Sequence, residues 1–346
     1  MKSNVMPLLI GLLAAALFGA ATPASKGLLN SLSAFQLAGL LYLGAATGVI
    51  PLIAREGGVS APWKLPGRTF FQLLGVIFFG GFLGPVLLLL GLELASSASV
   101  ALWLNLELVT TVALGQLFFH DRLTKTSALA AVGTLSAAVL LSVSEGLAGL
   151  YAGLLVLGAC VCWGLDNHFT ALIDRMSPSQ TTFWKGMVAG PVNLTIGLCV
   201  NPFHASATVI GLAFLVGALT YGMSIVLYIA SAQQLGATRS QVVFSSSPFF
   251  GVLLSALLLG ESISLLQGSA MVLIAVSLGA LVLEKHAHEH LHAEMEHDHW
   301  HRLDDQHHDH EGTSGICIGW HCHWHVHDPL VHTHAHWPDL HHRHKH

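Results

Sequence analysis

ELASSASVALWLNLELVTTVALGQLFFHDRLT, residues 93–124, has a second version further along the chain, QLGATRSQVVFSSSPFFGVLLSALLLGESIS at 234–264. Both open on small residues and continue as an apolar helix with polar groups in its middle. Both end on an acid just past the apolar run, Asp121 in the first and Glu261 in the second. A weaker echo relates GLLAAALFGAATPASK (11–26) to LVLGACVCWGLDNHFTA (155–171), with Phe18-Gly19 falling on Trp163-Gly164. Serine-rich segments follow each, Ser31-Leu32-Ser33 and Ser177-Pro178-Ser179. The chain thus reads as two versions of one unit.

Around these stretches lie ten apolar segments, at about 5–29, 33–54, 69–92, 97–119, 125–143, 147–173, 179–200, 206–231, 237–260 and 264–284. A run of roughly 18 or more apolar residues is long enough to cross the hydrocarbon layer as a helix. Composition agrees. Of the 346 residues 53% are hydrophobic and only 10% charged, and the mean hydropathy is +0.64. Soluble domains carry about a quarter charged residues, so this chain has too few to wet a soluble surface. The composition excludes a soluble protein and implies an all-α integral membrane protein. The N-terminal MKSNVMPLLIGLLAAALFGAATPAS has the layout of a signal peptide. Its counterpart at 155–171 assigns it instead to the first span.

Lysine and arginine order the spans. Lys2, Arg55, Lys64, Arg68, Arg122, Lys125, Arg175, Lys185, Arg239 and Lys285 all fall on one side of a ten-span layout. The alternate loops, near 93–97, 144–146, 201–205 and 261–264, carry none, and only Lys26 lies near that side. By the positive-inside rule both termini are expected in the cytoplasm, with the protein in the inner or plasma membrane. Each half holds five spans. Five is odd, so the second half enters the membrane inverted, as in many secondary transporters. The expected units are 1–146, 147–284 and a tail, 285–346. Pro23, Pro85, Pro191 and Pro248 interrupt spans, which membrane helices tolerate where neighbours satisfy the freed backbone.

The Gly-Glu-Ser-Ile-Ser ending of span nine, Pro248 within that span and the two five-span halves resemble the drug/metabolite transporter superfamily, in its EamA-like branch. The resemblance covers about residues 5–284. It departs from the family pattern at Leu108, where span four is expected to carry Pro, and at His120-Asp121, where Gly-Glu is expected. Gln36 lies near a position that is often Arg in relatives. The resemblance implies a ten-helix secondary transporter with a central cavity lined chiefly by spans 1, 3, 4, 6, 8 and 9. It does not imply a cargo.

Ionisable groups inside the hydrocarbon layer are costly and usually face a bundle interior or wet cavity. Glu107 is the leading candidate, near the centre of span four with Asn105 before it and Thr110 and Thr111 one turn on. A carboxyl there can exchange a proton or bind a cation; a protonated, hydrogen-bonded structural Glu is the plainer alternative. Asp166 and His168 sit toward the end of span six. At i and i+2 they do not share a helix face, so Asp166 is expected to pair with Lys185 or Arg175 and His168 to reach the cavity or simply be wet. Ser245, Ser246 and Ser247 can re-satisfy backbone freed by Pro248 or face substrate. Trp103, Trp163 and Tyr221 are wall or packing residues. Lys26 can attract an anion or snorkel to the interface. The candidate cavity residues are Glu107, Asn105, Asp166, His168, Ser246 and Trp163.

The 24 histidines are concentrated after Lys285, where 21 of them lie; only His120, His168 and His204 precede it. With so little apolar content the tail is expected to be largely disordered without ligand, its first part to about 301 prolonging span ten as a short helix. Imidazole suits zinc, nickel, cobalt and copper, and H-x-H in extended chain puts alternate side chains on one side. The expected metal ligands are His286, His288, His290, His292, His297, His299, His321, Cys322, His323, His325, His332, His334 and His336. Of the five cysteines, Cys160, Cys162 and Cys199 fall in spans as packing residues, and no disulfide framework is implied.

Three functions compete. The first is a secondary transporter moving a small solute by alternating access. The second is a divalent transition-metal exporter whose tail collects ions, and the third a membrane-tethered metal sensor or buffer. No phosphate-binding glycine loop or nucleophile motif is present, so neither enzyme chemistry nor ATP drive is expected. No cofactor is required, and a nucleic-acid partner is not expected. The expected partners are the lipid membrane and a small-molecule or metal-ion substrate, with a homodimer left open.

Overall fold

The computed structural model describes residues 5–119, 125–170, 172–173, 176–235, 243–283, 287–292, 295–302, 320–327 and 330–335. From Val5 to Leu283 the described chain is helical. Seven helical runs are long and apolar enough to cross a membrane: Met6–Leu28, Ala34–Arg55, Gly67–Leu94, Ser97–Leu117, Gly146–Thr170, Pro178–Val200 and Ala207–Ser231. Three shorter apolar helices, Ala128–Val143, Ser247–Leu259 and Leu265–Gly279, lie over the fifth, ninth and tenth segments. Large apolar side chains such as Leu147, Phe71, Leu117 and Leu265 point outward, as a lipid-facing surface requires. The interior is filled by Leu37, Leu41, Leu89, Leu102 and Trp103, all essentially inaccessible.

Several runs are broken, and the breaks shape the site. The first run divides into α1 (Val5–Gly19) and α2 (Ala21–Leu28). α3 (Ala34–Arg55) follows, started by a capping box in which Ser33 and Gln36 satisfy each other's backbone N–H groups. The third run is α4 (Gly67–Gly75), a π-helical segment Val76–Leu83 and α5 (Gly84–Leu94). The fourth is α6 (Ser97–Trp103), a turn at 104–105 and α7 (Leu106–Phe119). After α8 (Lys125–Ser144), α9 (Gly146–Thr170) and α10 (Pro178–Val200) comes an eighth run built like the third. It comprises α11 (Ala207–Val216), a π-helical segment Gly217–Met223 and α12 (Ser224–Leu235). α13 (Ser247–Leu259) and α14 (Leu265–Leu283) complete the helices. Pro248 stands in the first turn of α13, where its missing N–H costs nothing. It therefore frees no mid-helix carbonyl, contrary to the sequence expectation.

The most extensive helix pairing joins α3 to α10. It is close because glycine allows it. A Cβ on Gly186 would stand 2.3 Å from the Tyr42 carbonyl oxygen, and one on Gly39 2.6 Å from the Leu194 nitrogen. Small residues at membrane helix interfaces let backbones approach in this way. Gln36 of α3 locks one end of the pair, donating to the carbonyls of Gly197, Asn201 and Pro202. At the other end Glu56 accepts from the Ser177 and Ser179 hydroxyls that begin α10.

The Ser96–Ser99 end of α6 is held by three other segments. Glu261 accepts from the Ser97 and Ala98 backbone N–H groups, both at 3.0 Å, and from the Ser97 hydroxyl at 2.9 Å. Glu145 accepts from the Ser96 and Ser99 hydroxyls, and Gln267 donates to both. A carboxylate at a helix N-terminus meets unpaired N–H groups and the positive end of the helix dipole. Lys26 donates to the carbonyls of Leu92 and Ala95, closing the C-terminal end of α5.

Where it is described, the tail is extended rather than the helical continuation expected to about 301. Its described residues form β1 (Ala287–His292), β2 (Met295–Arg302), β3 (Trp320–His327) and β4 (Leu330–Ala335). β1 pairs antiparallel with β4, and β2 with β3. The physical reason is the period: histidine at every second position has the periodicity of a strand, not of a helix. His286 and His336 lie outside the described residues, as do Asp121, Arg175 and Arg239.

Candidate functional site

Glu107 lies where the fourth run is broken. The turn at Leu104–Asn105 ends α6, and Glu107 sits in the first turn of α7. Asn105 spends its side chain on the break, donating to the Leu102 carbonyl at 3.0 Å. Thr110 donates to the Glu107 carbonyl and to the Cys160 carbonyl of α9, at 3.0 and 2.8 Å. The break therefore places a carboxylate at the start of a half-helix, where the dipole favours negative charge, and pins that half-helix to α9.

Three consecutive residues of α9 meet this corner in different ways. Asn167 donates its amide to Glu107 Oε1 at 2.9 Å. His168 Nε2 lies 3.0 Å from the Thr111 carbonyl. Asp166, buried, points the other way and takes the Lys185 ammonium of α10 at 2.6 Å. The i, i+2 argument for separate faces holds, and of the two candidate partners for Asp166 the structure selects Lys185. Thr170, one turn on, donates to Asp166 Oδ1 at 3.3 Å.

The wall behind the ion pair is the π-helical segment of the third run. A π segment leaves carbonyls unpaired and often marks a functional position. Here the Gly80 carbonyl accepts from the Tyr42 hydroxyl and from Trp163 Nε1, and the Gly81 carbonyl accepts from Asn193 at 3.1 Å. Glycine is required by space. A Cβ on Gly80 would stand 2.3 Å from Asp166 Cγ, inside the carboxylate that holds Lys185. Tyr42 also faces Tyr221 of the second π segment, ring centroids 5.6 Å apart, and Phe18 lies 6.1 Å from Tyr221. Phe18 continues the aromatic row to Phe244, which packs on Tyr228 at 4.8 Å.

The structure thus brings Glu107, Asp166, His168 and Trp163 to one corner. Asn105 belongs to the adjoining break. Ser246 lies at the start of α13 and bonds the Val243 carbonyl at 2.6 Å, with no hydrogen bond to the Glu107 corner. Trp103 is fully buried and donates to the Ala138 carbonyl. Cys160 and Cys162 are buried packing residues, whereas Cys199 is exposed on the outer surface. Sequence reasoning gave Asn167 no role of its own and passed over Tyr42 and Gly80. The Gly80-Gly81 pair inside an apolar run was the available signal, since glycine in a helix interior implies close approach. Among the described residues no group of three or more His, Cys, Asp or Glu could hold a metal ion.

Comparison with known proteins agrees with this architecture. An uncharacterized transporter of Methanothermobacter thermautotrophicus is 26% identical over 235 residues, which are 64% of this chain and 66% of that protein. The chain thus spans about two thirds of that relative's length. A solved crystal structure shares the fold, with a TM-score of 0.59 at 18% identity over 81% of this chain and 99% of its own. The EamA-like transporter family matches twice, over residues 5–143 and 150–283. Two matches that together take in nearly all of the helical region place this membrane protein in the EamA-like transporter family.

Proposed function

We propose that the protein is a secondary active transporter that moves a small solute by alternating access, with Glu107 as the group that binds or couples. Ten spans in two inverted halves, with both termini cytoplasmic, are the framework of this reading. The observation that carries it is the placement of Glu107: an acidic side chain in the first turn of a half-helix, in the middle of a broken span, held by Asn167 from the facing helix. Discontinuous helices that aim half-helix ends at a midplane site are the usual construction of solute sites in such transporters.

Charge accounting suggests the chemistry. Asp166 and Lys185 neutralise one another at 2.6 Å. With a neutral His168 imidazole, ionised Glu107 leaves the corner one negative charge in excess and protonated Glu107 leaves it neutral. Such a site takes a proton or a cationic group in exchange for the other. Coupling requires only that the two occupants compete for one carboxylate whose access alternates.

The His-rich tail favours a second reading, in which the cargo is a divalent transition metal. The Lys185 ammonium stands against it, because it occupies the second carboxylate and repels a dication. Uptake into proteoliposomes tests both. A panel of small organic cations, zwitterions, zinc and nickel is presented with an imposed pH gradient. Saturable uptake of an organic solute that is lost in Glu107→Gln supports the first reading. Saturable uptake of metal alone, equally lost, supports the second.

A further inference from the structure

α3 and α10 carry one motif at one spacing. Ser33 caps α3 with Gln36 following in the first turn, and Ser177 caps α10 with Gln180 following in the same place. Each glutamine then reaches across to the chain that leaves the other helix. Gln36 Nε2 donates to the Pro202 carbonyl at 3.3 Å, besides those of Gly197 and Asn201, and Gln180 Nε2 donates to the Gly58 carbonyl at 3.3 Å. The same interval separates Ser33 from Ser177, Gln36 from Gln180 and Gly58 from Pro202. One clasp therefore occurs twice, in opposite directions, once at each end of an antiparallel pair. Between the clasps glycine keeps the backbones close. A Cβ on Gly190 would stand 3.2 Å from the Gly39 carbonyl oxygen, and one on Gly197 2.7 Å from the Gln36 nitrogen.

The two helices carry different neighbours. α3 packs on α11 and the second π segment, whereas α10 packs on the first π segment. α1 packs on α12 and α13, and α9 on α5 and α7. The α3–α10 pair thus joins two groups of helices. The groups also meet where α6 packs on α13 and α2, and there Glu261 accepts from Ser97 and Ala98. The two junctions differ in what parting would cost. N–H groups at a helix start that lose a carboxylate can bond water. Gln36 and Gln180 are buried, and a buried amide that loses its partners is left unsatisfied at full desolvation cost. We propose that the α3–α10 pair is the pivot about which the two groups rock, and that the Glu261 contact with α6 is the latch that opens. The proposal rests on the alternating-access reading, in which one bundle rocks against another around a fixed site.

Spin-label distances test it on full-length protein in lipid nanodiscs, in a background whose native cysteines are replaced by alanine and which is shown to melt like the wild type. Labelled cysteines at Ser31 and Val200 flank one end of the pivot, and at Leu94 and Ile263 the latch. Met6 and Leu117 report the opposite end of the bundle. Lys26, at the far end of the first run from Met6, bonds the Ala95 carbonyl beside the latch, and Leu117 ends the run that Ser97 begins. All six positions are exposed. Glu261→Ala releases the latch, and Glu261→Gln, which keeps one acceptor, weakens it. In both variants the Leu94–Ile263 distance is expected to gain a longer population while Met6–Leu117 shortens, less so in Glu261→Gln. The Ser31–Val200 distance is expected to stay single and unchanged. Lengthening of the latch pair alone would mean local unravelling of α6 and would overturn the proposal. So would a Ser31–Val200 distance that moves with the others, or no change in any pair. The distances need no solute. A protein that shows them but takes up nothing from the uptake panel keeps the pivot and loses the transport reading, whereas the converse loses only the pivot.

Discussion

Asp166 holds Lys185 at 2.6 Å, while Asn167, the next residue, turns away and donates to Glu107 at 2.9 Å. One short piece of α9 therefore connects the only ion pair described in the membrane helices to the carboxylate at the broken span. Adjacent residues of α9 thus hold the carboxylate at the broken span and the ion pair between α9 and α10.

Breaking that lock on one side leaves a buried, unpartnered charge, for which about 3–5 kcal/mol is typical. Lys185→Met and Asp166→Asn are each expected to lower the thermal midpoint of detergent-solubilised protein markedly. The double variant Asp166→Asn/Lys185→Met is expected to recover most of the loss, because no orphan charge remains. Additive losses in the thermal scan would mean that the two side chains do not act as a pair.

Gly80→Ala puts a methyl group within 2.3 Å of the Asp166 carboxylate. Either the carboxylate or the π segment must move. Reduced transport and reduced stability are expected together, whereas Gly27→Ala, whose added Cβ meets nothing within 4 Å, serves as the neutral control. Matched uptake assays and melting curves on the two variants check this.

Glu261 supplies both of its oxygens to the start of α6. Glu261→Ala strips three hydrogen bonds from that end, including two backbone N–H groups. Hydrogen bonds to charged groups contribute about 1.5–3 kcal/mol each, and water at the helix end replaces part of this. A net loss of about 2 kcal/mol is expected from chemical unfolding. Glu261→Gln keeps one acceptor and is expected to lose less.

Much of the helical framework was legible because it rests on apolar run length. Glu107 was legible because a carboxylate in an apolar run is costly wherever it sits. The breaks were harder to read. Leu104-Asn105 carries no proline or glycine, and the turn there is set by packing, with Asn105 bonding back to Leu102. The two π segments carry glycine but no other mark, because an extra residue in a helical turn leaves hydrophobicity unchanged. Asn167 has no role legible between two ionisable neighbours, although a neutral amide is well suited to bind a carboxylate without neutralising it. The tail's period-two pattern was read as favouring metal, yet its strands were not anticipated, since low apolar content was given more weight than periodicity.

The central claim is that Glu107 carries the coupling, and its most direct test is the charge and proton movement that substrate elicits. Wild-type and Glu107→Gln proteins, shown to melt alike, are reconstituted into liposomes and challenged with whichever solute the uptake panel identifies. Internal pH is recorded with a trapped dye. Substrate-dependent proton movement in the wild type and none in Glu107→Gln is the result this account predicts. Unaltered proton movement in Glu107→Gln would contradict it and place the coupling elsewhere in the bundle.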